Sequence, residues 1–553
     1  MDRPRRPLIQ RSEPNRLPRW ALIALAAPAV VLIAVFYAWP VATLFARAVT
    51  GEAVRYALED QALRRIVWFT TWQALASTAL TLAVGLVPAW LLARYEFTGR
   101  RAITALVTVP FVLPTVVVGA AFLALLPDSL DQSVIAILLA HVFFNIAVVV
   151  RGVGGMWEQL PSDLTAAART LGASPWRAMR EVTLPLLAPS ITAAASVVFL
   201  FTFTSFGVVR LLGGPANPTL EVEIWQRATR LGDIGTASVL SIAQLVVLGL
   251  TVLWFSRLQT RQRLALGLRP LDQRRRVRTR RERITVSAIA ASVVVVVCMP
   301  LAALVERSVR TGDRHSLAAW RSVFGGETPR TSRPTAAPVD ALASLGVSLR
   351  FAVIAVIISV VVGGTVSLAI AALGRAGRVL DTGVMLPLGT SAVTIGFGLL
   401  ITFDRAPFDW RAEPWMIPLG HALVATPFVV RTMVPVIRSI DGRLRDAAAT
   451  LGATPLRAWR EIDLRMAIRP LLTGAGFAMA ISLGEFGATT FLTRQGRVTL
   501  PIAIENLLKK PGALLHAQGY VLACVLALLT FAVVGFVELI RPRSDRDRRA
   551  RRS

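Results

Sequence analysis

The chain has 553 residues, 54% of them hydrophobic, and a formal charge of +28 from 61 basic and 33 acidic side chains. Mean hydropathy is +0.59, and the apolar residues gather in long uninterrupted runs that match the ~30 Å hydrocarbon core of a bilayer, which excludes an ordinary soluble globule. The positive charge is confined to tails and inter-helix loops, where anionic lipid head groups account for it and nucleic acid does not.

A basic segment at residues 1–19, with six Arg, precedes a first span at about 20–46. That span is too long for the apolar core of a signal peptide, which is ~7–15 residues. Further spans follow at about 66–93, 102–126, 133–156, 186–212 and 234–258. A second set lies at about 284–306, 343–373, 379–403, 414–437, 470–493 and 517–540. Hydrocarbon offers no hydrogen-bond partner, so each run must close its own backbone as a helix. The expected fold class is an all-α polytopic membrane protein of twelve transmembrane helices in two homologous six-helix halves. Modules at 20–258 and 284–540 flank a basic linker at 259–283, and a basic tail occupies 541–553. Eleven Arg between Arg257 and Arg283 and seven after Ile540 mark the cytoplasmic side, whereas the loop near 127–132 carries only Asp128 and Asp131. Both termini are therefore expected in the cytoplasm. The Pro-rich segment 325–338 reads as an external loop. Cys298 and Cys524 lie inside apolar runs and read as small buried hydrophobes, so no metal site is expected.

One stretch occurs twice. Asp163–Leu184 and Arg443–Leu464 agree at 13 of 22 positions when laid over each other at a shift of 280 residues. At the same shift His141 falls on His421, Arg151 on Arg431, Phe206-Gly207 on Phe486-Gly487 and Thr219-Leu220 on Thr499-Leu500. An unbroken register over this length is the mark of two fused copies of one module. Six spans per copy give both the same membrane orientation, hence a pseudo-two-fold axis along the membrane normal with a pathway between the halves.

The repeated stretch is too polar to cross lipid. Its Ala-rich start favours helix, and Gly172 and Gly452 are placed to end that helix in a left-handed turn. Ser174-Pro175 and Thr454-Pro455 are placed to start a second one. The expected unit is helix, Gly turn, helix, lying flat on the cytoplasmic face. Its small Ala side chains permit close approach by another protein, and Arg177, Arg180, Arg457 and Arg460 offer charged contacts. An amphipathic helix resting on lipid is the competing reading, weakened by the second copy.

At these residues the chain resembles the permease subunits of bacterial binding-protein-dependent ABC importers, whose pattern runs Glu-Ala-Ala, three residues, Gly, and after about nine more Ile-x-Leu-Pro. The resemblance implies a type I importer permease fold, a multi-pass place in the bacterial plasma membrane, and a coupling helix docking on an ATPase. By that likeness the coupling residues are Ala167, Ala168, Leu171, Gly172, Ala173 and Arg177 in the first copy. In the second they are Asp446, Ala447, Ala448, Leu451, Gly452, Ala453 and Arg457. Ala166 stands where the family has an acid, and Arg465 where it has Pro. The implied partners are two cytoplasmic ABC ATPase subunits, an extracytoplasmic solute-binding protein and membrane lipid. ATP and Mg belong to the ATPase, and this chain is expected to hold no cofactor and no catalytic residue. Fused versions resemble the thiamine and ferric-iron permeases, and the stretch Ser205-Phe206-Gly207 followed by Thr219–Gln226 looks more like the thiamine type.

The only lysines are Lys509 and Lys510, in Leu-Lys-Lys-Pro, so the Gly-Lys-Ser/Thr of a phosphate-binding loop is missing and the chain is not expected to hydrolyse ATP itself. A secondary transporter would need ionisable residues within its spans, and Glu485 is the one strong candidate. Ser205, Phe206, Glu485 and Phe486 are the candidate pathway residues. Glu485 either borders the pathway and favours a cation, or is satisfied by backbone at a helix break. His141 and His421 read as packing or hydrogen-bonding residues, and Arg151 and Arg431 as anchors at helix ends.

Overall fold

The computed structural model describes residues 19–48, 51–261, 274–325, 341–494 and 496–540. The basic tails, residues 262–273 of the linker and most of the Pro-rich loop lie outside the described residues. Ten described helices are long and apolar enough to cross a bilayer, or twelve if each of two bent pairs counts as one span.

The repeat register carries through to element boundaries. Adding 280 to Ser162–Thr170 gives 442–450, the bounds of Gly442–Thr450, and adding it to Gly207–Leu212 gives 487–492, the bounds of Gly487–Leu492. In each half a long helix (Gln61–Arg94 or Ala341–Ala372) packs along the helix that leads into the repeated stretch (Val134–Trp157 or Met416–Ser439).

Four expected spans depart from straight helices. The span expected at 102–126 is Arg100–Val112 and Thr115–Leu125, bent by 104°, and the one at 379–403 is Gly374–Gly389 and Ala392–Thr402, bent by 97°. Pro114 has no N–H and forces Leu113 into an extended conformation (ψ 139°), which ends the first helix. In the second half Thr390 is extended, and the Ser391 hydroxyl accepts from the Val393 N–H at 3.1 Å to start the next helix. The spans expected at 186–212 and 470–493 stop at Phe203 and Gly484, and short helices resume at Gly207 and Gly487. Apolar runs hide these breaks, because a window of hydropathy does not distinguish a helix from a helix interrupted by two extended residues.

The first helix of each half also reaches across to the other half. Trp20–Ala48 packs on Ile234–Arg261 of its own half and on Ala341–Ala372 and Ala392–Thr402 of the second. Tyr37 shares a 2.5 Å hydrogen bond with Thr390. Reciprocally, Arg280–Ser308 packs on Ala513–Ile540 and on Arg100–Val112 and Thr115–Leu125 of the first half, where Arg307 donates to the Ala124 carbonyl at 3.3 Å. The two modules are contiguous in sequence but interlocked in space. Severing the chain between residues 262 and 273 should therefore leave two co-expressed pieces that copurify, and removing residues 1–48 from the first piece should weaken that association. Affinity pull-down of a tag on the second piece measures it.

Candidate functional site

Each copy of the repeated stretch forms an elbow. The helices Ser162–Thr170 and Gly442–Thr450 end in the same turn, with Gly172 at φ 87° and Gly452 at φ 79°. The Ala173 N–H donates to Ala168 O and the Gly172 N–H to Arg169 O, at 3.0 and 3.1 Å. Ala453 and Gly452 make the equivalent bonds to Ala448 and Ala449 at 3.0 and 2.9 Å. This is a Schellman cap, which places a left-handed residue where only Gly is unstrained. Nothing lies within 4 Å of where a Cβ would stand on either glycine, so strain and not collision selects it. Ser174 and Thr454 then cap the next helix by accepting from the Arg177 and Arg457 N–H groups at 3.2 and 3.4 Å.

The second helix of each elbow is not a separate element lying flat. It is the start of the next span: Pro175–Phe203 in the first half and Leu456–Gly484 in the second. Each passes through one π-helical turn, Met179–Thr183 or Trp459–Asp463, a wide turn that is frequent at functional sites. The elbow thus sits at one end of a continuous rod.

Exposure is matched copy for copy. Residues 163–173 and 443–453 carry the same sequence of exposed and half-buried positions, with Ala167, Asp446 and Ala447 exposed and Ala168 and Ala448 half-buried. Leu171 and Leu451, the tips of the two turns, are each 88% exposed. A leucine exposed at equivalent places of two polar turns marks a candidate interaction surface, whereas a single exposed leucine would be unremarkable. The bracing behind the elbows differs. Arg445 grips Asp463 through its Nε, 3.1 Å from both carboxylate oxygens, and that hydrogen bonding raises the Arg445 pKa above its ordinary value. The equivalent positions of the first copy are Thr165 and Thr183, which cannot pair. The first elbow is backed by Glu158, which takes Arg100 at 2.5 Å and the linker's Arg274 at 3.2 Å, beside a parallel pairing of Tyr95-Glu96 with Arg275-Arg276. Arg177 is paired with Glu181 at 3.0 Å, while in the second copy Glu461 pairs with Arg465 at 3.1 Å.

The other ends of the rods meet at the centre. Phe206 and Phe486, equivalent at the repeat shift, lie ring to ring with centroids 5.2 Å apart, and both are buried. The pseudo-two-fold axis passes between them. A Cβ on Gly207 would collide with Thr115 Oγ1, and one on Gly487 would come within 3.2 Å of Ala392 and Val393, so the glycines let the helix breaks close on one another.

Glu485 is 7% exposed and points at the N-terminus of the short helix Gly487–Leu492. Its carboxylate accepts from the Ala488 and Thr489 N–H groups at 2.9 and 3.0 Å and from the Thr489 hydroxyl at 2.5 Å. It serves as a cap for the orphan donors of that short helix. Ser205 is likewise engaged, 2.8 Å from His141 Nε2. The two histidines pin these breaks to neighbouring helices. His141 bridges Ser77 and Ser205, and His421 bridges Ser482 and Thr489, at 2.7–3.0 Å throughout.

Sequence reasoning missed a third feature. Arg210 of the first half lies 2.7 Å from Glu505 of the second, which also takes Lys509 at 2.7 Å. Arg210 falls on Thr490 and Glu505 on Trp225 at the repeat shift. The pair therefore breaks the symmetry, and comparing the halves for matches could not find it.

An all-helical membrane protein of two interlocked modules, with matched elbows at one end and an aromatic closure on the axis, is the architecture of a transport permease. The family described as binding-protein-dependent transport system inner membrane component matches this chain twice, at residues 82–264 and 359–546. The chain belongs to that family as a fused, two-module permease of an ABC importer, a multi-pass protein of the plasma membrane. Among its relatives, the thiamine transport system permease protein ThiP of Brucella abortus (strain 2308) is 29% identical over 501 residues, covering 86% of this chain and 87% of the relative. ThiP of Salmonella typhimurium is 26% identical over 554 residues, 94% and 97% of the two chains. The sulfate transport system permease protein CysT of Escherichia coli (strain K12) is 30% identical over 200 residues, 34% of this chain and 72% of that one.

Two outcomes check the geometry. Gly452→Val forces a β-branched residue to φ 79°, at a strain of ~1–3 kcal/mol, and should abolish coupled transport while membrane insertion stays intact. Removing both rings (Phe206→Ala with Phe486→Ala) should open a leak, read as solute efflux from vesicles holding the purified chain without any energy source.

Proposed function

We propose that the elbows Ala166–Leu184 and Asp446–Leu464 are the docking points of two cytoplasmic ATPase subunits, and that the solute is thiamine. The observation that carries the first part is the matched exposure of the elbows, above all Leu171 and Leu451 at 88% each. Ala167, Ala168, Gly172, Ala173 and Arg177 surround the first tip, and Asp446, Ala447, Ala448, Gly452, Ala453 and Arg457 the second. ATP and Mg act on the partner, and closure of the two ATPases draws the elbows together.

The rods convert that movement into gating. Pro175–Phe203 and Leu456–Gly484 are each 29 residues long, roughly 44 Å at 1.5 Å per residue. Each starts at an elbow and ends within three residues of Phe206 or Phe486. A shift of an elbow about its π turn is delivered directly to the ring pair, and parting the rings opens the axis to a solute presented by an extracytoplasmic binding protein. With the elbows cytoplasmic, both termini lie on that same side.

Thiamine is supported by full-length likeness: the thiamine permeases align over 86–94% of this chain, the sulfate permease over 34%. Ferric-iron import is the alternative reading. The test is reconstitution in vesicles with the cognate ATPase and binding protein. ATP-dependent accumulation of radiolabelled thiamine is expected, and no uptake without ATP. Uptake that persists with the ATPase left out overturns the importer mechanism, and ATP-driven uptake of another solute alone overturns thiamine.

A further inference from the structure

On the side of the Phe206–Phe486 pair away from the elbows lies a cavity of about 320 Å³. Its walls come from both halves, and three of its lining pairs are repeat equivalents. Adding 280 to Arg210, Trp225 and Arg230 gives Thr490, Glu505 and Lys510, all of which line it. The cavity therefore straddles the pseudo-two-fold axis, in line with the ring pair. Arg230 and Lys510 stand just before the helices Ile234–Arg261 and Ala513–Ile540, which lead back toward the elbow side, so both cations are at the outer rim.

The charge of this chamber is one-sided. Four cations (Arg210, Arg230, Lys509 and Lys510) face a single carboxylate, Glu505. That carboxylate is shared by Arg210 and Lys509, 2.7 Å from each. Arg230 and Lys510 have no carboxylate partner among the described residues. Trp225 offers no free aromatic face to a cation, because Arg210 lies 3.8 Å and Arg230 5.0 Å from its ring centre. Gathering like charges in a partly buried chamber raises the local potential and attracts the opposite charge.

We propose that this vestibule is a binding site for a small anion, a phosphate or carboxylate group, held by Arg230 and Lys510. Glu505 is the carboxylate already seated between Arg210 and Lys509, and shows that the chamber accepts one. The anion is borne either by the solute or by an acidic side chain of a docked protein. This site does not hold an organic cation, so thiamine passes it without binding. The proposal goes beyond the importer reading and stands on the cavity alone, so its test omits the ATPase and the binding protein.

The full chain in phosphatidylcholine nanodiscs is titrated calorimetrically at low ionic strength with sodium pyrophosphate, a tetra-aspartate peptide and thiamine. Saturable pyrophosphate binding is expected. It should weaken by about tenfold or more in the double variant R230Q/K510Q and persist in the charge-conserving R230K/K510R. Thermal unfolding of both variants should match the parent, as expected for side chains at a rim. Thiamine should bind about tenfold or more weakly than pyrophosphate. A peptide that binds more tightly than pyrophosphate assigns the site to a docked protein's carboxylates, and the reverse order assigns it to a solute-borne anion. No saturable anion binding, anion binding unchanged in R230Q/K510Q, or thiamine binding as tightly as pyrophosphate overturns the proposal.

Discussion

Inside hydrocarbon every backbone N–H and C=O must find a partner, and this fold interrupts its helices where that demand is hardest to meet. Breaks at Leu113-Pro114, Thr204–Phe206, Thr390-Ser391 and Glu485-Phe486 come together around the axis. At two of the four, side chains replace missing helical bonds. Glu485 and Ser391 accept from orphan N–H groups, and His141 and His421 tie the breaks to adjacent helices. What results is a closure made of short, capped segments that can part along existing seams. A continuous helix would have to unwind to give way.

The same breaks fix where the rods end. One span starts at each exposed elbow, passes through a single π turn and stops beside the ring pair. In the second copy Arg445 on Asp463 ties the elbow helix to the rod, whereas in the first Glu158 with Arg100 and Arg274 ties the span before the elbow to the helix Arg100–Val112 and to the linker.

Duplication supplies the frame, and departures from it supply direction. Positions that stay alike, such as Gly172 and Gly452, Leu171 and Leu451, or Phe206 and Phe486, serve the geometry. Positions that differ, Arg210 against Thr490 and Trp225 against Glu505, meet across the axis and give the outer chamber its charge. The interlocking first helices hold both halves to one axis while leaving the centre free of covalent crossing.

By itself the sequence was enough to establish the class, the repeat and the elbow. Apolar run length, Arg placement and a constant shift of 280 residues are local or linear signals, and a left-handed Gly between an Ala-rich helix and a Ser-Pro or Thr-Pro start is a local backbone requirement. Tertiary structure alone decided the rest. The helix breaks lie within runs that are apolar from end to end, so hydropathy cannot register them. The crossing of Trp20–Ala48 and Arg280–Ser308 onto the opposite halves depends on helix packing in lipid, where one apolar face is no more attractive than another. That Glu485 caps a helix depends on which way one side chain points, which only the fold around the two nearest backbone N–H groups decides. The pairing of Arg210 with Glu505 joins residues 295 positions apart (505 minus 210) across an axis that exists only once the halves are folded together.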